Sequence, residues 1–152
     1  MIKLINKNAL NNLDILNDII KDSSIEGDFS YSKSEFKELP EGVDTFLLID
    51  DNGDSAMLFM VEEFKYRAEI YVSMFAARNN NIGLKFFSYI KELKKIVKFY
   101  KEELGLEVTL SATFRRATSL PLVEKYARKY SWRVIEHDVE YIEGYDYIEY
   151  EL

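Results

Sequence analysis

The stretch AARNNNIGLKFF, residues 76–87, decides how the rest of the chain is interpreted. It joins an apolar, strand-like segment to a long helical pattern through an arginine, three asparagines and a glycine. A helix N-terminus leaves backbone N–H groups unpaired and carries partial positive charge, so it attracts phosphate groups. Glycine and asparagine tolerate the left-handed backbone angles that a loop around an anion requires. Residues 78–83 therefore predict a pyrophosphate-binding loop, although an Asn-rich helix start without a ligand is the plain alternative.

The segment before this stretch alternates strictly between the two faces of a strand. Its small and apolar side chains on one face are Ala68, Ile70, Val72 and Met74. The residues between them, on a polar face, are Arg67, Glu69, Tyr71 and Ser73. This period of two predicts a strand over 65–75. A polar face on a strand in the middle of a sheet requires a functional or structural reason.

The other elements follow from hydrophobic period, capping residues and turn signals. Before the alternating strand, the patterns predict a strand over 2–5, a helix over 8–21 capped by Asn8, a short helix over 33–39 ended by Pro40, and strands over 44–49 and 55–62 around the turn Asn52-Gly53. After it, they predict a helix over 82–103 ended by Gly105, a strand over 106–113, a helix begun by Thr118 or Ser119, and a hairpin of strands over 132–141 and 145–152.

The element order is therefore β-α-α-β-β-β-α-β-α-β-β in one domain, residues 1–152. We expect a mixed α/β fold, with a mostly antiparallel, twisted sheet flanked by helices. A parallel pair of strands should lie across the long helix, because parallel neighbours require a crossover connection.

Composition excludes several classes of site. The chain has 152 residues, no cysteine and one histidine, so Cys-ligated metals, thiolate nucleophiles and His-based metal sites are not expected. The formal net charge of −7 argues against general nucleic-acid binding, even with a lysine-rich face on the long helix. We find no export signal or membrane-length apolar run, and so expect a cytoplasmic protein. Heavy use of Ile, Lys and Asn suggests a bacterial or phage source.

At residues 78–83 the sequence resembles the acyl-CoA loop of the GNAT superfamily of N-acyltransferases, written Q/R-x-x-G-x-G/A. Arg78 matches the first position and Gly83 the last, while Asn81 stands where the first glycine is expected. The element order also resembles that of the whole GNAT fold. The resemblance implies acetyl-CoA as cofactor. Its pyrophosphate would be held by the loop residues Arg78, Asn79, Asn80, Asn81, Ile82, Gly83 and Leu84.

The resemblance also implies two catalytic residues. Glu69 lies on the strand where many GNAT enzymes carry a glutamate base, and burial there would raise its pKa. An ion pair with Arg67 is the plain alternative. A tyrosine acid is expected on the helix after the fifth strand, where Ser131-Trp132 replaces the Gly-Phe of the family pattern and strict spacing points to Ala127. Tyr126, one position away, is the candidate, and a role for it in the core is the alternative.

Two functions remain open from the sequence. One is an acyl-CoA-dependent N-acyltransferase that acetylates a small-molecule or protein amine. The other is a catalytically inactive protein of GNAT shape, binding no cofactor, that acts as an inhibitor or binding module. Its partner would be a basic protein at the acidic C-terminal hairpin, residues 136–151.

Overall fold

The computed structural model describes residues 2–5, 9–23, 31–36, 39, 42–78 and 82–152. Within these ranges, strands and α-helices follow one another in the predicted order. They are β1 (Ile2–Ile5), α1 (Leu13–Lys21), β2 (Val43–Asp50), β3 (Ser55–Glu63), β4 (Arg67–Ala77), α2 (Ile82–Lys98), β5 (Glu107–Arg115), α3 (Ser119–Lys129), β6 (Arg133–Ile142) and β7 (Tyr145–Glu151).

Short helical turns replace or extend three of the predicted helices. A 3-10 turn, Ala9–Asn12, leads into α1, and the predicted cap Asn8 lies outside the described residues. The predicted helix over 33–39 is a 3-10 turn, Lys33–Phe36, in the part of it that the structure describes. A π-helical turn, Phe99–Glu103, continues α2. Gly105 then has a φ of 66°, the left-handed angle expected of a glycine just past a helix end.

The strands form one seven-stranded sheet in the order β1-β2-β3-β4-β5-β7-β6. Neighbouring strands are antiparallel except β4 and β5, which run parallel and are connected through α2. The predicted mixed sheet, with a parallel pair across the long helix, is therefore confirmed. The continuous apolar run in β3 lies at the centre of the antiparallel half, where both of its faces are buried.

Each face of the sheet has its own hydrophobic core. On one face, α2 and α3 pack against the middle strands, and this larger cluster includes Phe59, Ile70, Tyr89, Val108 and Tyr150. On the other face, α1 packs against β2, β3 and β4, and its cluster includes Leu16, Ile19, Leu47, Leu58 and Ala76. Because the two clusters share no buried side chain, the faces can be assigned residue by residue.

Strand β4 contains a bulge that the sequence pattern does not reveal. Leu58 of β3 pairs with Met74, and the next residue, Phe59, pairs with Val72, so Ser73 has no partner in the ladder. The prediction that Met74 shares a face with Ile70 and Val72 is therefore wrong. Met74 packs against the α1 cluster, and Phe75 takes its place on the α2 face.

The bulge coincides with the point where β4 and β5 separate. Their parallel ladder runs from Arg67 and Glu107 to Val72 and Ala112. Beyond it, β4 continues through residues 73–77 and β5 through residues 113–115 without further β4–β5 pairing. A bulged strand bends and twists more strongly, which accounts for this divergence. The wedge between the strands opens toward the start of α2.

Candidate functional site

A cavity of about 430 Å³ occupies the wedge between β4 and β5. Its inner wall is apolar and consists of side chains from the sheet, α2 and α3: Met57, Val72, Phe86, Ile90, Leu93, Leu110, Ala112 and Val123. Its hydrogen-bonding side chains lie around the wedge: Tyr31, Ser73, Thr113, Arg115, Thr118, Ser119 and Tyr145. A mostly apolar cavity with a few polar groups at one end has the composition of a small-ligand site.

Two hydroxyl groups meet at the bulge. The Oη of Tyr31 lies 2.9 Å from the Oγ of Ser73 and 3.4 Å from the Ser73 carbonyl oxygen. Tyr31 is held from the other side by Asn17 of α1. The Asn17 amide donates to the Tyr31 carbonyl oxygen at 2.9 Å and accepts from the Tyr31 N–H at 2.8 Å. The sequence pattern placed Ser73 on the polar face of the predicted strand over 65–75, but nothing in it pointed to Tyr31, which is distant along the chain.

The side chain and the backbone N–H of Arg78 both bind other parts of the chain. Its Nε donates to the Gly53 carbonyl oxygen at 3.1 Å, its Nη1 pairs with the Asp22 carboxylate, and its backbone N–H donates to the Asp54 carbonyl oxygen at 2.8 Å. Nη1 also lies 3.4 Å from the Asp18 carbonyl oxygen. Arg78 therefore fixes the end of β4 to the β2–β3 turn and to the C-terminal end of α1.

A buried ion pair fixes the other side of the same loop. Lys85, in the first turns of α2, donates to Oδ2 of Asp50 at 2.6 Å, and the Asp50 side chain is only 4% exposed. Burial would raise the pKa of Asp50, but hydrogen bonds from Lys85 and from the Asn52 N–H outweigh it and lower that pKa. Next to this pair, the Tyr89 hydroxyl lies 2.9 Å from the Ser55 hydroxyl, and burial raises the pKa of Tyr89.

The predicted cofactor loop lies between these two anchors. Asn79, Asn80 and Asn81 lie outside the described residues. Ile82, Gly83 and Leu84 begin α2, and only their backbone is described. Their role as a pyrophosphate site stays a prediction. The structure does show where α2 begins, which is close to the point where β4 leaves the wedge.

Glu69 lies on β4 but does not line the cavity. It accepts a hydrogen bond from Nε of Arg67 at 3.1 Å, and its side chain is 37% exposed. The ion pair with Arg67, which was the alternative to a role as base, is thus present. Glu69 is only partly buried, although burial was expected. The assignment of Glu69 as a base stays a prediction.

Tyr126 lies on α3 beside the cavity wall rather than on it. Its ring packs 5.6 Å from the ring of Phe86, which lines the cavity, and 6.3 Å from that of Tyr130. Val123, which also lines the cavity, precedes Tyr126 by one helical turn. Tyr126 is 7% exposed and belongs to the larger core cluster, so the core role is present. Its role as an acid is untested.

Carboxylates gather on the sheet face opposite α2. Strand register places Glu136 and Asp138 of β6 beside Glu149 and Tyr147 of β7 on this face. Burial, followed by the charges of Glu149, Glu136 and Glu69, raises the pKa of the Tyr147 phenol, although a hydrogen bond with Ser111 opposes this. A hydrogen bond with Asp138 and the charges of Asp138 and Glu149 raise the pKa of Glu136. Glu69 therefore shares a negatively charged surface with the hairpin.

A second polar cluster anchors the hairpin. The buried carboxylate of Asp146 accepts a hydrogen bond from the Glu140 N–H at 2.9 Å and lies 2.9 Å from Nε2 of His137. Nε of Arg116 lies 3.5 Å away. The Glu140 N–H, His137 and Arg116 lower the pKa of Asp146. Arg116 and His137 therefore have structural partners, and the cluster fixes the hairpin turn close to Tyr145 at the cavity.

Over the described residues, no group of three or more His, Asp or Glu side chains is arranged to hold a metal ion. None of the helices in the same part of the chain is both long enough and apolar enough to cross a membrane.

Comparison with known proteins gives results in structure but not in sequence. No protein-family model matches the chain, and no curated protein matches it. A probable acetyltransferase from Staphylococcus epidermidis superposes with a TM-score of 0.60 and 14% identity, covering 99% of this chain and 97% of that one.

Two further solved structures give the same result. The spermidine/spermine N-acetyltransferase of Vibrio cholerae has a TM-score of 0.60 at 14% identity, with 99% of this chain and 91% of that one covered. The ribosomal-protein-S18-alanine N-acetyltransferase of Escherichia coli has a TM-score of 0.60 at 15% identity, with 100% and 93% covered. Along nearly its whole length, this chain has the fold of the GNAT acetyltransferases.

Proposed function

We propose that the protein is an acyl-CoA-dependent N-acyltransferase that acetylates a cationic amine. The observation that carries this proposal is the apolar cavity between β4 and β5, which opens toward the N-terminal end of α2. An extended thioester could lie in such a wedge with its anionic end at the helix. The similar solved structures, which are named as acetyltransferases, support the same reading.

We propose places for two parts of coenzyme A, the pyrophosphate and the thioester arm. The positive end of α2 and the backbone N–H groups of Asn79, Asn80, Asn81, Ile82, Gly83 and Leu84 would bind the pyrophosphate. The apolar wall would exclude water from the thioester arm. Arg78 and Lys85 contribute by holding the loop ends, because their side chains are bound to Asp22 and Asp50. The bound cofactor would supply an activated acyl group.

The reaction needs a neutral amine and a protonated leaving thiolate. The amine nitrogen would attack the thioester carbonyl carbon, the C–S bond would break, and the amine would lose one proton. We propose Glu69 as the base, acting through water because it lies outside the cavity lining. We propose Tyr126 as the acid, since it packs against Phe86 on the cavity wall. Tyr31 and Ser73 would orient the acceptor at the bulge.

The carboxylates on the sheet face beside the wedge indicate which class of acceptor to test. Glu136, Asp138 and Glu149 add negative charge to the sheet face next to the wedge, where Glu69 is paired with Arg67, and this charge would attract a protonated amine. One similar structure is a spermidine/spermine N-acetyltransferase, so a polyamine is the first acceptor to test. A basic peptide offers the same charge and is the second.

The decisive experiment is a calorimetric titration of the purified protein with acetyl-CoA, compared with desulfo-CoA and adenosine diphosphate. We expect micromolar affinity for the first two. Acetylation of spermidine and of a neutral amine of similar length would then be compared, and the neutral amine should react more slowly. Absence of binding at millimolar acetyl-CoA would rule out the enzyme.

A binding protein without catalysis is the second candidate. Strand β6 is exposed along its whole length, and Val134, Ile135, Val139, Tyr141 and Ile142 are each about half exposed or more. With the carboxylates of the same hairpin, these side chains could bind a basic protein partner with an apolar contact surface. If acetyl-CoA does not bind, the hairpin becomes the first surface to test for partners.

A further inference from the structure

The cavity extends inward beyond the point where β4 and β5 separate. Leu110 lines it and lies about 7 Å deeper along β5 than Ala112, the last residue of the parallel ladder. Leu93 also lines it and lies about 10 Å further along α2 than Phe86. The cavity therefore reaches past the bulge into the core between the sheet and α2.

The inner part of the cavity is apolar and closed to solvent. Met57, Ile90, Leu93 and Leu110 surround it, and each is at most 4% exposed. The polar side chains of the cavity belong to the wedge and its rim. A charged or hydroxylated group in the inner part would lose its hydration without a hydrogen-bonding partner, so only an apolar group suits this space.

An acetyl group would leave this space unfilled. Well-packed cores contain few voids larger than a water molecule, and unfilled apolar space lowers stability. Each methylene group moved from water into such a space improves affinity by up to about fourfold. The inner cavity should therefore raise the affinity for an acyl chain that continues beyond the thioester carbonyl at the bulge.

The geometry points to a hydrocarbon acyl chain longer than acetyl as a donor group that this protein also accepts and binds more tightly than acetyl. A depth of about 10 Å suits roughly four to eight carbons. This inference rests on the proposed acyl-CoA function and specifies its donor. The chain would lie between the sheet and α2, with its terminal methyl group near Leu93 and Leu110.

The test is calorimetry with free CoA and with acetyl-, butanoyl-, hexanoyl- and octanoyl-CoA. We expect affinity to rise from acetyl to hexanoyl by about tenfold or more in total. Free CoA binding with an affinity that is flat or falling from acetyl to octanoyl would overturn the chain-length inference while leaving the cofactor site intact. Failure of free CoA and of every thioester to bind would overturn both the inference and the proposed function.

Variants of the inner wall give an independent readout. Leu93→Phe should abolish the gain in affinity from longer chains, because the larger ring would fill the inner part of the cavity. Leu122→Phe, on α3 and outside the cavity lining, is the matched control and should keep the wild-type preference. Leu93→Ala should move the preferred chain toward greater length. An unchanged preference in folded Leu93→Phe and Leu93→Ala proteins would contradict the assigned position of the chain.

Discussion

At the scale of single residues, the Asp50–Lys85 pair fixes the start of α2 to the end of β2. Asp50 is buried, so its carboxylate would be unfavourable there without the Lys85 ammonium and the Asn52 N–H. Arg78 is the first residue of the predicted phosphate loop, and Lys85 comes directly after its last. Both are attached to the end of β2 and the β2–β3 turn, which fixes the two ends of the loop.

Asp50→Asn tests this pair. The change leaves the Lys85 ammonium, whose side chain is 28% exposed, without its carboxylate, and the unfolding free energy should fall by about 3 kcal/mol. Urea denaturation measures it. Asp44→Asn on the same strand replaces an exposed carboxylate and should change the unfolding free energy by no more than about 0.5 kcal/mol. Equal effects of the two changes would show that the pair contributes no special stability.

Glu69→Gln tests the proposed base. Steady-state kcat should fall by about 10²-fold or more, because glutamine cannot accept the amine proton, while acetyl-CoA affinity stays unchanged. Glu62→Gln is the matched control, since Glu62 pairs with Glu69 across the β3–β4 ladder. Wild-type turnover in Glu69→Gln would remove this residue from the mechanism.

At the scale of elements, the bulge in β4 generates the site. Ser73 is the extra residue, and it reverses the faces of Met74 and Phe75 relative to a regular strand. It also marks the end of the β4–β5 ladder. The polar groups Tyr31 and Ser73 meet there because the bulge turns that part of the strand toward the segment after α1.

Deletion of Ser73 should leave the protein folded but weaken its binding of acetyl-CoA. Without it, Val72, Met74 and Phe75 regain strict alternation, and both cores keep their side chains. We expect a folded protein whose acetyl-CoA affinity is at least about tenfold weaker, because the wedge would close. Circular dichroism and calorimetry measure the two effects. Replacement of Ser73 by Ala keeps the bulge and serves as the control. Full affinity in the deletion would show that the bulge does not open the site.

At the scale of the whole molecule, ligand binding and folding are linked. A ligand that binds only the folded protein stabilises it by about 2.7 kcal/mol at a hundredfold excess over Kd. For a domain of this size, about 1 kcal/mol raises Tm by roughly 2–4 °C, so saturating acetyl-CoA should raise it by about 5–11 °C. Thermal unfolding with and without acetyl-CoA measures this shift, with adenosine diphosphate as the comparison. A Tm unaffected by acetyl-CoA would contradict the cofactor site.

Acid should destabilise the protein through two buried carboxylates. The folded-state pKa values of Asp50 and Asp146 lie below their ordinary value of 3.8, so the unfolded chain binds more protons in this range. Their contribution is complete above that value and is lost as pH falls through the lower folded-state values. Urea denaturation at about pH 3, 5 and 7 should show this loss. A variant with Asp50→Asn and Asp146→Asn should lose less unfolding free energy than the wild type between about pH 5 and 3. An equal loss in wild type and variant would contradict the assignment.

The sequence by itself determined the element order and the mixed sheet. Hydrophobic period, the turn at Asn52-Gly53 and the helix end at Gly105 act over a few residues, so they can be read locally. It also led to the prediction of a phosphate site at the helix start after Arg78, which stays a prediction. The predicted short helix over 33–39 was less accurate, because a 3-10 turn and a short helix have similar local patterns.

The tertiary structure alone decided how the site is built. An extra residue in β4 is recognised only from its pairing with β3, so the positions of Met74 and Phe75 could not be predicted from alternation. Tyr31 reaches Ser73, and Arg78 reaches Asp22, across long stretches of chain that no local pattern connects. The wedge and its inner cavity exist because two parallel strands separate, which is a property of packing between distant segments.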